Sequence, residues 1–246
     1  DLKARFSGLM APTGRLRDLD VYLAEKAAFF DLLPPSMHGG LEHMFALFER
    51  QRAAAQADLV AHLESKAYQR EMKALEKLFS GKKGLAKGPD AKRPAVAYSS
   101  ALIWKRYRKV CKIAAGIDDR TEDEEVHRLR IHCKKLRYLM EFFAPVFPEK
   151  AFKSVLKPLK RLQDNLGLFN DYSVQQDSLR ALLRDLDAAP DAHNIDIAQS
   201  IGALIVVLDE KQRAERARVV DSFAAFNGAE TRATFERLFH TPKVPA

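Results

Sequence analysis

Four side chains, His127, Arg130, Lys134 and Arg137, recur at i, i+3, i+7 and i+10. At about 100° per residue a helix gathers them within an arc of roughly 80°. The surrounding stretch, HRLRIHCKKLRYLMEFF, carries five Lys or Arg and two His, and no acid stands between His127 and Glu141. Like charges three and four apart repel by a few tenths of a kcal/mol per pair, and a helix built only for solubility interleaves its signs. An unrelieved row therefore points to an anionic partner. Arg can hold two anion oxygens at once, whereas Lys supplies a mobile point charge. His127 would serve best as the imidazolium, the form a polyanion favours. Standing alone, it would read as a hydrogen-bonded histidine near a helix N-terminus. Aligned with three cations, it reads as part of the row.

Further cations occur on either side of this stretch. In WKRYRKVCK, Lys105, Lys109 and Lys112 form one line and Arg108 adjoins it; the rival reading is a solvated face. Lys153, Lys157 and Lys160 form another line, in which Asp164 is expected to pair with Lys160 and Pro158 to bend the start of the helix. Catalytic signatures are absent. GKKGLAKG lacks the Gly-Lys-Ser/Thr ending and the preceding strand of a P-loop, and no HExxH occurs. His127 and His132 are five residues apart, which sets them on different helical faces. The acidic run Glu122 to Glu125 suits the first turn of a helix better than a metal cluster. Cys111 and Cys133 have no metal-type spacing and lie on apolar faces, as reduced core thiols of a cytosolic protein do.

The elements that must carry these residues are helices. Leu129, Cys133, Leu136, Met140 and Phe143 follow the core pattern of an amphipathic helix beside the basic row. Apolar spacing of three and four recurs along the chain without any alternating segment, so the fold is expected to be all-α. Helices are expected at about 1–10, 15–32, 37–66, 68–79, 97–115, 121–144, 149–166, 170–187, 193–226 and 229–239. With 47% hydrophobic residues in 246, the chain can bury one large core or two small ones, and it contains no run of membrane-span length and no signal-peptide pattern. The net charge of +8 is local: residues 80–140 hold sixteen Lys and Arg against seven Asp and Glu. A local basic field suits a polyanion.

Between Ser80 and Pro94 the sequence is rich in Gly, Lys and Pro without apolar periodicity, as a mobile linker would be, its lysines solvated. Two self-matches cross it: GRLRDLDV (Gly14 to Val21) with GLFNDYSV (Gly167 to Val174), and the apolar spacing ending at Phe79 with that ending at Phe239. They imply a tandem repeat, with a first repeat at 1–80, a linker at 81–95 and a second repeat at 96–240. In each copy a helix is expected to end near the glycine in a left-handed cap, with Asp18 or Asp171 starting the next. By the same offset, a first-copy equivalent of His127 would fall about 26 residues before position 1.

The run HRLRIHCKKLRYLMEFF, followed by LKPLKRLQDNLG and ND, with the earlier GRLRDLDV, resembles the CHAD family, the conserved histidine α-helical domain. The resemblance is strongest over 120–175 and lacks the first copy's histidine helix. It implies two helical bundles related by a pseudo-two-fold, together one domain, with basic residues lining a central groove that binds inorganic polyphosphate. Carried over by position, the family's histidine is His127, its basic row Arg130, Lys134 and Arg137, and its second-helix lysines Lys157 and Lys160; Lys105, Arg108, Lys109 and Lys112 are second-tier candidates. Polyphosphate is a flexible line of charges with no base edges, so repeated cations about 5 Å apart per helical turn suit it. The expectation is a non-catalytic, cofactor-free, cytoplasmic polyphosphate-binding module, associated with polyphosphate granules. The rivals are a helical module that binds nucleic acid, with Tyr138 beside the row for stacking, and a domain accessory to a phosphate-chain enzyme. The few aromatics near the row weigh against stacking, and no acid cluster for Mg²⁺ is present. Such domains are often joined to a triphosphate-processing CYTH domain, whose strand-borne ExExK motif does not occur here.

Overall fold

The computed structural model describes residues 1–80, 88–118, 120–188 and 192–240. Among these the elements are helices, joined by turns and short 3-10 segments, with no strand. The helices are α1 (Leu2–Met10), α2 (Gly14–Ala24), α3 (Lys26–Asp31), α4 (His38–Glu64), α5 (Lys66–Ser80), α6 (Ala95–Ala114), α7 (Asp123–Phe143), α8 (Glu149–Ala188), α9 (Asn194–Ala217), α10 (Val219–Phe226) and α11 (Ala229–Phe239). Of the expected linker at 81–95, residues 81–87 lie outside the described residues, and α6 starts directly after Pro94. No described helix is long and apolar enough to cross a membrane.

Four expected helices differ from those observed. The segment 15–32 breaks at Glu25, where φ is −93° and ψ 7°. The break brings the Tyr22 and Phe29 rings to 5.6 Å, whereas an unbroken helix sets residues seven apart about 10 Å from each other along its axis. The segment 193–226 breaks at Arg218 in the same manner. Conversely, the expected helices 149–166 and 170–187 are one helix of 40 residues that passes through Gly167. Leu159, Leu162, Leu166 and Phe169 are all buried, and each such side chain contributes about 1.5–3 kcal/mol against a cost of about 1 kcal/mol for a helical glycine. The left-handed cap is thereby corrected. Gly14 is also helical, at φ −59° and ψ −55°, so neither Asp18 nor Asp171 begins a helix.

The chain forms two compact units, residues Asp1–Lys87 with Ser178–Val207, and Gly88–Asp177 with Leu208–Ala246. Each therefore takes its residues from two separate stretches of sequence, with α8 and α9 each contributing to both. In the first unit, Tyr22, Phe29, Phe45 and Phe48 form an aromatic cluster with ring separations of 4.9–5.9 Å. Burial pushes the Tyr22 hydroxyl up to about 12. Gly40 lets α4 approach α9 closely: a Cβ there would stand 2.2 Å from the Asp196 carbonyl oxygen. Ser200 donates to the Met37 carbonyl at 2.8 Å across the same contact. In the second unit the core runs from Ile103, Tyr107 and Val110 of α6 through Leu129, Leu136 and Met140 of α7 to Leu159 and Leu166 of α8, closed by Phe226, Phe235 and Phe239. Tyr107 stacks on Phe235 at 3.9 Å and donates to Asn227 at 2.5 Å.

Candidate anion-binding site

Burial fixes how α7 is turned. Val126, Leu129, Cys133, Leu136 and Met140 are fully buried, and Phe143 packs against them. Burial also pushes the Cys133 thiol far up, which keeps it an inert core group; both cysteines are free. Acids in the first turn, Asp123 to Glu125, complement the N-terminal dipole. Asp123 also has a structural task, accepting from Gln212 at 2.8 Å, while Gln212 accepts in turn from Gln176 at 2.7 Å. Arg216 donates to the carbonyls of Asp118 and Thr121 at 2.8 and 2.7 Å. No group of metal-ligating side chains occurs among the described residues.

With that face buried, His127, Arg130, Lys134 and Arg137 emerge on the flank of α7 that meets α8. His127 Nδ1 lies 2.7 Å from Asn170 Oδ1, and Asn170 Nδ2 turns to Asp171 at 3.4 Å. This amide orientation makes Nδ1 the donor and leaves Nε2 as the imidazole atom that can face an anion. Arg130 stands 3.8 Å from Asp171. Lys134 and Arg137 lie over the Tyr138 ring at 5.8 and 5.2 Å. Glu141 ends the row: it contacts Arg137 at 3.8 Å and, from α8, Lys160 at 3.3 Å. Lys160 therefore pairs across helices with Glu141 rather than with Asp164 one turn along, and Lys157 lies one turn before it on α8. Five of the predicted cations and the histidine thus belong to two adjoining helices.

The remaining four, Lys105, Arg108, Lys109 and Lys112, do not join that row. They line an open cavity of about 750 Å³ together with Trp104, Arg106 and His132. On α7, His132 stands about 140° from both His127 and Arg137. Arg106 donates to His132 Nδ1 at 3.1 Å, because arginine has no acceptor. Burial, and then the nearby charges of Arg106, Lys135, Lys109 and Arg128, hold the His132 imidazolium below the ordinary histidine range.

Sequence reasoning missed Asn170, Glu141, Arg106 and His132 as parts of these surfaces. Asn170 is 43 residues from His127, and nothing local marks it as the partner. Arg106 lies off the lysine line, and only the packing of α6 on α7 brings it to His132.

The described residues thus form an all-helical fold with a basic flank on α7 and α8. The family model for the CHAD domain matches residues 1–180, and the chain belongs to that family. No curated protein matches the chain.

Proposed function

We propose that this protein binds inorganic polyphosphate through the α7–α8 flank of its second unit, without turning the polymer over. The observation that carries the reading is the meeting of the α7 row with Lys160 of α8 at Glu141, which gives a cationic surface drawn from two helices. Membership of the CHAD family, which is associated with polyphosphate binding, supports it. A line of phosphates has no base edges to recognise, and this flank offers charge and donors rather than a stacking platform. His127 contributes when charged, its Nδ1–H held by Asn170 and its Nε2–H given to phosphate. The same reading places the protein in the cytoplasm at polyphosphate granules.

Competition binding tests it. Polyphosphate should displace labelled RNA at a far lower phosphate-equivalent concentration than RNA displaces labelled polyphosphate, and the polymer should be recovered at its original length. Equal displacement in both directions would mean a general polyanion or nucleic-acid surface, and shortened polymer would mean an enzyme.

A further inference from the structure

We propose that the cavity between α6 and α7 is a second, separate site, and that it takes a nucleoside polyphosphate, a short phosphate chain joined to a planar ring. This proposal does not rest on the polyphosphate reading of the α7–α8 flank.

The lining has two chemistries. Lys105, Arg108, Lys109 and Lys112 supply cations, and no carboxylate is among the lining residues. Lys105 to Lys112 rise about 10 Å along α6 at 1.5 Å per residue, the length of a few linked phosphates. Arg106 is held in place by its bond to His132, so its other donors are oriented before a ligand arrives. The second chemistry is apolar: Leu102, Leu139 and Trp104 line the same cavity. A bare phosphate chain gains nothing from an indole and two leucines, whereas a nucleobase stacks on an aromatic and buries its face. Trp104 already lies against the His240 ring at 4.8 Å and 29°, so a planar partner is in keeping with its surroundings. At about 750 Å³ the cavity falls in the range of small-ligand sites. Charge accumulation fits the same occupant. Burial together with Arg106 and Lys109 from α6, and Lys135 and Arg128 from α7 itself, disfavours the charged His132 ring, as a cluster of cations facing it does.

The test uses the full chain, ATP and inorganic triphosphate as probes, and Trp104, the one tryptophan of the sequence, as a local reporter. By calorimetry, ATP should bind at least tenfold more tightly than triphosphate and should quench Trp104 emission to saturation. Because Lys105 and Lys109 are exposed, the variant Lys105→Glu with Lys109→Glu keeps the fold and should weaken ATP at least fivefold. The variant Arg130→Ala with Arg137→Ala should leave ATP binding unchanged. Absence of ATP binding, absence of quenching, triphosphate binding as tight as ATP, or a smaller loss in the lysine variant would each overturn the proposal. Polyphosphate binding measured on the same two variants reports on the α7–α8 flank independently, so failure of one site is distinguished from failure of the other.

Discussion

Glu141→Gln should tighten polyphosphate binding. The Glu141 carboxylate stands 3.3 Å from Lys160 and 3.8 Å from Arg137, so a phosphate engaging those cations must sit beside it. Two unit charges about 6 Å apart repel by about 0.7 kcal/mol in bulk water and about 1.4 kcal/mol where the effective dielectric constant is roughly half that. Removing the charge should therefore raise affinity about three- to tenfold at low salt, and less as added salt screens the repulsion. Folding should barely change. The Arg137, Lys160 and Glu141 side chains are 28%, 50% and 38% exposed, and pairs at that exposure contribute about 0–1 kcal/mol. Calorimetric titration with length-defined polyphosphate, beside a melting curve, reads both quantities. An unchanged or weaker affinity at an unchanged melting temperature would show that the Arg137–Lys160 end of the row does not meet the polymer.

His127→Ala should weaken polyphosphate binding, because Asn170 holds Nδ1 and Nε2 is the ring atom left to meet an anion; parent-like affinity would remove His127 from the site. In the same titrations, the slope of log affinity against log salt should be about −4, from about −0.7 per contact over His127, Arg130, Lys134, Arg137, Lys157 and Lys160, and a slope near −1 would mean a single contact. Leu136→Ala, at a fully buried position, should cost about 2–5 kcal/mol of unfolding free energy in denaturant melts. Gly40→Ala should destabilise by about 1–3 kcal/mol, since its Cβ would meet the Asp196 carbonyl. Gly39→Ala, with open space around it, should be neutral or gain up to about 1 kcal/mol; equal effects at the two glycines would contradict the close α4–α9 approach.

What the sequence made legible was periodic. The core face of α7 recurs every three to four residues, and Leu129, Cys133, Leu136 and Met140 are buried as that period requires. The basic row beside it follows from the same wheel. Where competing local signals meet, packing decides: Gly167 marks a helix end by propensity alone, yet the burial of Leu166 and Phe169 on either side carries α8 through it. Side-chain pairings across helices were not legible, because partners such as His127 and Asn170, Glu141 and Lys160, or Arg106 and His132 depend on how helices are turned against each other. That is also why nine cations and one histidine that form neighbouring lines in sequence divide between two flanks of α7 in space.

The central claim, that the α7 row is where polyphosphate binds, meets its most direct test in one titration of the Arg130→Ala, Arg137→Ala variant. Neither side chain belongs to the core face, and the ion pairs each makes, to Asp171 and Glu141, are 3.8 Å long. Removing two guanidinium groups that donate charge-assisted hydrogen bonds to phosphate should weaken polyphosphate binding at least about tenfold, with the helical melting transition nearly unchanged. Parent-like affinity in a folded double variant would contradict the account and remove the α7 row from the site.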